Sequence, residues 1–150
     1  MELNSILVQN SLNKLSSNSN PKWGVMNSSQ MLYHCNTFID VSLGVRKINF
    51  FIRVFSRLFF RYFFLRYLNS IDFDISKFSK NSSTLPIFKS FPESIDFDEE
   101  KNKLVRNIKK IEGISSEKID HQMYGTIPTS TLERLVSFHT SYHLNQFDLI

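Results

Sequence analysis

Residues 46–68 read RKINFFIRVFSRLFFRYFFLRYL. At the helical period, Asn49, Arg53, Ser56, Arg57 and Arg61 line up as one narrow polar stripe, and Phe and aliphatic residues fill the rest of the circumference. An apolar arc that wide exceeds what one core normally covers. The fold must therefore supply a cover for it. Three covers are open: a central place in a helical bundle with Arg stems reaching to water, burial against a second copy, or docking on an anionic membrane surface. The segment is expected to be a helix with its apolar face buried, in the protomer or across a dimer.

The same segment carries the charge. Residues 41–71 hold Arg46, Lys47, Arg53, Arg57, Arg61 and Arg66 and no acid, so +4 overall less +6 here leaves −2 elsewhere. The basic pI belongs to one element, and no nucleic-acid-binding surface is expected. A chain of 150 residues is long enough for one domain, 1–150, with a full core. Four Gly and four Pro disfavour turn-rich β architectures, and 15 Phe imply a core thick with rings. A single Cys rules out an internal disulfide and fits a reducing compartment. The start, MELNSILVQNSLNKL, lacks a basic region followed by a continuous apolar run, so no signal peptide is expected. No uncharged apolar run approaches the roughly 18 residues of a transmembrane segment. The expected location is cytoplasmic.

Residues 2–16 read as a helix with Leu3, Ile6, Leu7 and Leu15 apolar, followed by a loop through Pro21 and Gly24. Asn27 and Gln30 form a capping box for a helix that buries Met31, His34, Cys35, Phe38 and Val41, with Gly44 as a stop or kink. Residues 69–94 read as a long irregular connection that wraps the bundle or covers a site. A helix is predicted from about 97 to 112, with acids at its start, lysines at its end, Leu104, Ile108 and Ile111 inward, and Gly113 just beyond. Residues 121–128 read as a loop, and Ser130 with Glu133 as the capping box of the last helix. The sum is an all-α chain of four or five helices.

On that last helix Leu132, Leu135, Val136, His139, His143 and Gln146 share a face. Two imidazoles one turn apart can chelate one divalent ion, and His34 faces inward from its own helix. Three such ligands with an open position are the arrangement of a catalytic metal site; zinc and nickel both suit neutral imidazole. The alternative is that each histidine is a hydrogen-bonded core residue. Thr140 stands where a zinc peptidase of the H-E-x-x-H type carries Glu, so that chemistry is excluded.

Trp23, Gly24, Met26, Gln30, Met31 and His34, then His121, Tyr124, Gly125 and Ile127, then His139, His143, Leu144, Gln146 and Phe147 form three motifs. They resemble the DinB-like superfamily, and within it a branch of small bacterial proteins known only as a domain of unknown function. That branch shows W-G-x-M-x-x-x-Q-M-x-x-H, H-P-x-F-G-x-L and a terminal H-x-x-x-H-L-x-Q-F. Gln122 replaces its Pro and Tyr124 its Phe. The resemblance spans about residues 22–147. It implies a DinB-like four-helix bundle with a long connection before the third core helix, often a homodimer. It also implies a divalent metal held by His34, His139 and His143.

Characterised relatives in that superfamily include metal-dependent thiol transferases and a few isomerases and hydrolases. The leading expectation is thus a transferase in which zinc or nickel activates a low-molecular-weight thiol for attack on an electrophile. The thiol's carboxylates could meet the arginines at 53–61, although simple solvation of those arginines is the plainer reading. Cys35 points about 100° away from His34 and reads as a packed core residue rather than a nucleophile. His121 is a second-shell candidate or a loop anchor. Two rival readings stand beside this: a hydrolase using metal-bound water with Asp120 or Asp40 as base, and a non-enzymatic bundle binding a partner or an anionic membrane through the basic Phe-rich helix.

Overall fold

The computed structural model describes residues 4–150, so Leu3 lies outside the described residues. The first helix, α1 (Ser5–Leu12), starts at Asn4, whose side chain accepts from the Leu7 N–H at 2.9 Å. It is shorter than the expected 2–16 and buries Val8 and Leu12, with Leu15 just beyond; Ile6 and Leu7 face solvent. Helix α2 (Ser28–Ser42) opens on the expected capping box, Asn27 and Gln30 each bonding the other's backbone N–H. It ends before Gly44, whose φ of +71° suits glycine alone among common residues.

Helix α3 (Phe50–Phe59) passes through a π-helical turn, Phe60–Phe64, into α4 (Leu65–Ser70). Residues 71–96 carry only two 3₁₀ turns, Ile75–Lys77 and Pro86–Phe88. Helix α5 (Phe97–Glu112) is capped by Asp96 and has Asp98, Glu99 and Glu100 in its first turn and Lys109 and Lys110 in its last, the arrangement the helix dipole favours. Gly113 follows with φ −87°, so it does not form the left-handed cap. Two short strands, β1 (Lys118–His121) and β2 (Gly125–Pro128), then lead into α6 (Thr129–Gln146).

The core lies where α2, α5 and α6 meet, on Met31, Leu32, Cys35, Ile39, Leu104, Ile108, Leu132 and Leu135. Between α2 and α5 runs a polar seam. Asn36 Nδ2 donates to the Glu100 carbonyl at 2.9 Å, Asn107 Nδ2 donates to Asn36 Oδ1 at 3.0 Å, and Lys103 pairs with Asp40 at 2.8 Å. Satisfied polar groups of this kind fix the register of the two helices.

One expectation is overturned. The chain is not an all-α four-helix bundle: β1 and β2 pair antiparallel, Ile119 opposite Ile127 and His121 opposite Gly125, across the stretch expected to be a loop. The hairpin closes in three residues because Gly125 takes φ +69°, the left-handed geometry short hairpins use. It also replaces the predicted capping box of α6. No side chain caps that helix; the Thr129 N–H donates instead to the Glu117 carbonyl at 2.9 Å, across the hairpin's base.

A second difference concerns α3 and α4. The helix starts at Phe50 rather than 46, lies at the periphery, and turns its apolar face out of the protomer, which removes the central place in a bundle and leaves a second copy or a membrane as its cover. Ser56 is fully buried, and Arg57 reaches into the hairpin, where it pairs with Asp120 at 2.9 Å and donates to the Gln122 carbonyl at 3.2 Å. Phe51, Phe55, Leu58, Phe59, Tyr62 and Phe63 are exposed. The hairpin offers carbonyls and a carboxylate to the helix, and these draw Arg57 inward beside the buried Ser56.

Candidate metal centre

Helices α2 and α6 bring His34, His139 and His143 together, each offering a nitrogen within 4.8 Å of the other two. His34 Nε2 lies 3.0 Å from His139 Nε2. The His34 and His143 rings stand edge to face with centroids 4.6 Å apart, and the His139 ring stacks on Phe38 at 4.1 Å. Metal–nitrogen bonds of about 2.1 Å place two ligand nitrogens roughly 3–3.5 Å apart. The His34–His139 pair already stands at that spacing, and His143 lies within 4.8 Å of both.

The outward nitrogens decide what the inward ones can do. His34 Nδ1 is 2.9 Å from the Phe88 carbonyl, which can only accept, so Nδ1 carries the proton and Nε2 a lone pair. His143 Nδ1 is 2.9 Å from Gln146 Oε1. The Gln146 amide is oriented by its other end, Nε2 donating to the Trp23 carbonyl at 2.6 Å, so His143 also keeps its lone pair on Nε2. Gly24 leaves room for this: its φ is +84°, and a Cβ there would run into the Gln146 amide. His139 Nδ1 is buried without a hydrogen-bond partner.

All three rings are neutral near pH 7. Burial holds His34 below its ordinary value against the opposing pull of the Phe88 hydrogen bond. Burial, and then the neighbouring His143 and His34, hold His139 well below it. His143 is pushed down to about 3, first by burial and then by His34. Neutral, desolvated imidazoles with fixed tautomers fit a borderline-soft divalent cation.

The three rings form part of the wall of a cavity of about 900 Å³. Most of the lining is aromatic or aliphatic, including Phe38, Phe60, Phe64, Phe78, Phe88 and Tyr142, with Ser79 and Ser82–Thr84 on one side. The connection expected to wrap or cover a site does line this one. Among the described residues Lys89 is the charged group in the lining, and none of those that line it is Asp or Glu.

The other candidates lie elsewhere. His121 is fully buried in the hairpin: Nδ1 accepts from the Met123 N–H at 3.1 Å, and Nε2 donates to Ser42 Oγ at 3.0 Å, whose own proton goes to the Phe38 carbonyl. Those bonds anchor β1 to α2. Cys35 is buried beside Met31, and burial pushes its thiol far up, which suits a packing residue. Asp40 is held by Lys103 and Asp120 by Arg57, and the arginines at 53–61 do not line the cavity. Sequence reasoning placed Gln146 on the inward face without giving it a role; its spacing of three from His143 was the available signal. Nothing in the sequence pointed to the Phe88 carbonyl, a backbone group on an irregular segment.

The family described as "Protein of unknown function (DUF1569)" matches residues 4–149. The chain belongs to that family. No curated protein matches it, and no solved structure does. Membership covers almost the whole chain, including all three histidines and the residues that orient them.

Proposed function

We propose that the protein is a divalent-metal-dependent enzyme related to the DinB-like superfamily, with zinc or nickel held by His34, His139 and His143, acting on a small thiol and an electrophile. The observation that carries this is the arrangement of lone pairs: Phe88 and Gln146 fix two imidazoles so that their Nε2 atoms face a third, buried at the cavity wall. A bound cation would supply Lewis acidity, lowering the pKa of a coordinated thiol. Lys89 offers a counter-charge to a carboxylate of that thiol, and the aromatic lining excludes water from the reacting groups. Among the described residues no lining carboxylate stands ready as a general base for hydrolysis, which favours transfer with the coordinated thiol as nucleophile.

Metal analysis of protein purified without chelators tests the reading. The expected result is one zinc or nickel per chain, lost in His34→Ala, His139→Ala and His143→Ala and kept in His121→Gln. Turnover of small thiols with an activated aryl halide should follow metal content. Protein that holds no stoichiometric metal and takes up none on titration refutes the metal site; a loaded protein inert to every thiol refutes the transferase.

A further inference from the structure

The stripe formed by Phe51, Val54, Phe55, Leu58, Phe59, Tyr62 and Phe63 is the outer face of α3 and the π turn, with Phe51 78% and Phe63 71% exposed. The spacing of three and four continues through the π turn to Tyr67, 38% exposed, because the wider turn absorbs the drift of the straight helical period. At these exposures the aromatic and aliphatic groups present on the order of 1,000 Å² of apolar surface, well beyond the roughly 300–600 Å² of the largest patch on an ordinary monomer. Something covers this face.

Charge decides between the covers. Lys47, Arg61 and Arg66 are exposed along this segment or just before it, and none is ion-paired among the described residues. Residues 41–71 contain no acid. A second copy packed stripe to stripe would bring this uncompensated positive element against itself. An anionic phospholipid surface supplies the missing charge, and an aromatic-rich amphipathic helix suits the headgroup layer. No described helix is long and apolar enough to cross a bilayer, so the helix would lie in the interface plane. We propose that the outer face of Phe50–Ser70 docks the protein on anionic phospholipid membranes. The opposite side of the same helix, through Phe60 and Phe64, forms part of the cavity wall.

Co-sedimentation with vesicles tests this independently of any metal. The probes are phosphatidylcholine alone and phosphatidylcholine with about 30 mol% phosphatidylglycerol, at about 0.1 M and about 0.5 M NaCl. Binding is expected on the anionic vesicles, at least about tenfold stronger than on neutral ones and weakened by salt. The pair Phe55→Gln and Leu58→Gln, both exposed and outside the cavity lining, should cut partitioning at least about tenfold without changing thermal stability. The pair Lys47→Gln and Arg66→Gln should reduce the anionic preference about 25-fold, about fivefold per charge. Absence of binding to anionic vesicles overturns the proposal. So does a dimer in sedimentation velocity that the Phe55→Gln, Leu58→Gln pair dissociates, which would assign the face to a second copy.

Discussion

His121 makes the protein's stability pH-dependent in a way that one substitution can isolate. Burial pushes its pKa down to about 4, with Asp120 opposing and Arg57 adding to the effect. The unfolded chain holds its histidine near 6.5. The folded pKa is the lower one, so the neutral ring stabilises the fold fully above about pH 6.5. As pH falls from there to about 4, the unfolded state binds a proton that the native state refuses. The contribution at stake is the separation of the two values times about 1.4 kcal/mol per unit, or about 3 kcal/mol.

His121→Gln keeps a donor for Ser42 Oγ and removes the titration, at the cost of the acceptor for the Met123 N–H. At pH 7 the variant should be less stable by about 1–2 kcal/mol. Towards pH 4.5 the wild type should lose about 2–3 kcal/mol more than the variant, so the two curves meet or cross. The other three histidines are common to both proteins and cancel in the difference. Urea unfolding followed by circular dichroism, in chelator, at pH 7, 6, 5 and 4.5 measures this. A stability gap constant within about 0.5 kcal/mol across that range would refute a buried, neutral His121.

Three further outcomes are expected. Gln146→Leu frees the His143 ring and should weaken metal binding about 10–100-fold in competition with a chromogenic chelator, leaving the fold intact by circular dichroism. Gln122→Ala removes two bonds that its amide donates to the Val41 and Arg46 carbonyls and one that it accepts from the Ile48 N–H; a loss of about 3 kcal/mol, read as a melting temperature lower by roughly 10 °C, is expected. The Cys35 thiol should not react with Ellman's reagent in the native protein and should react fully in denaturant; rapid native labelling would show that it is accessible and its pKa unraised.

The three histidines could be read from the sequence because their placement is a matter of period. His139 and His143 share a face four residues apart, His34 lies on the inner face of a helix whose capping box is spelled out, and both helices bury that face. What orients the rings was less legible. The Phe88 carbonyl belongs to a segment without a period, and Gln146 acquires its role only when Trp23, far off in the chain, takes the other end of its amide.

The overlooked hairpin and the outward aromatic face have one origin. A strand of four residues with the composition of Lys118–His121 carries too little alternation to stand out, and its pairing with Gly125–Pro128 depends on a single left-handed glycine. With the hairpin overlooked, the polar stripe of the Phe-rich helix has no visible partner in the chain, and water is its natural destination. With the hairpin in place, Asp120 and the backbone carbonyls of His121 and Gln122 receive Arg57, and Gln122 ties the same hairpin to Val41, Arg46 and Ile48. Amphipathicity states that a helix has two faces but not which of them the rest of the chain will claim. Here a small polar element claimed Arg57, and the aromatic face was left outward as a consequence. The exposed stripe is therefore tied to the hairpin: Asp120→Ala together with Gln122→Ala should loosen α3 and change its exposure, which hydrogen exchange along Phe50–Phe59 would register, while the α5 amides stay protected.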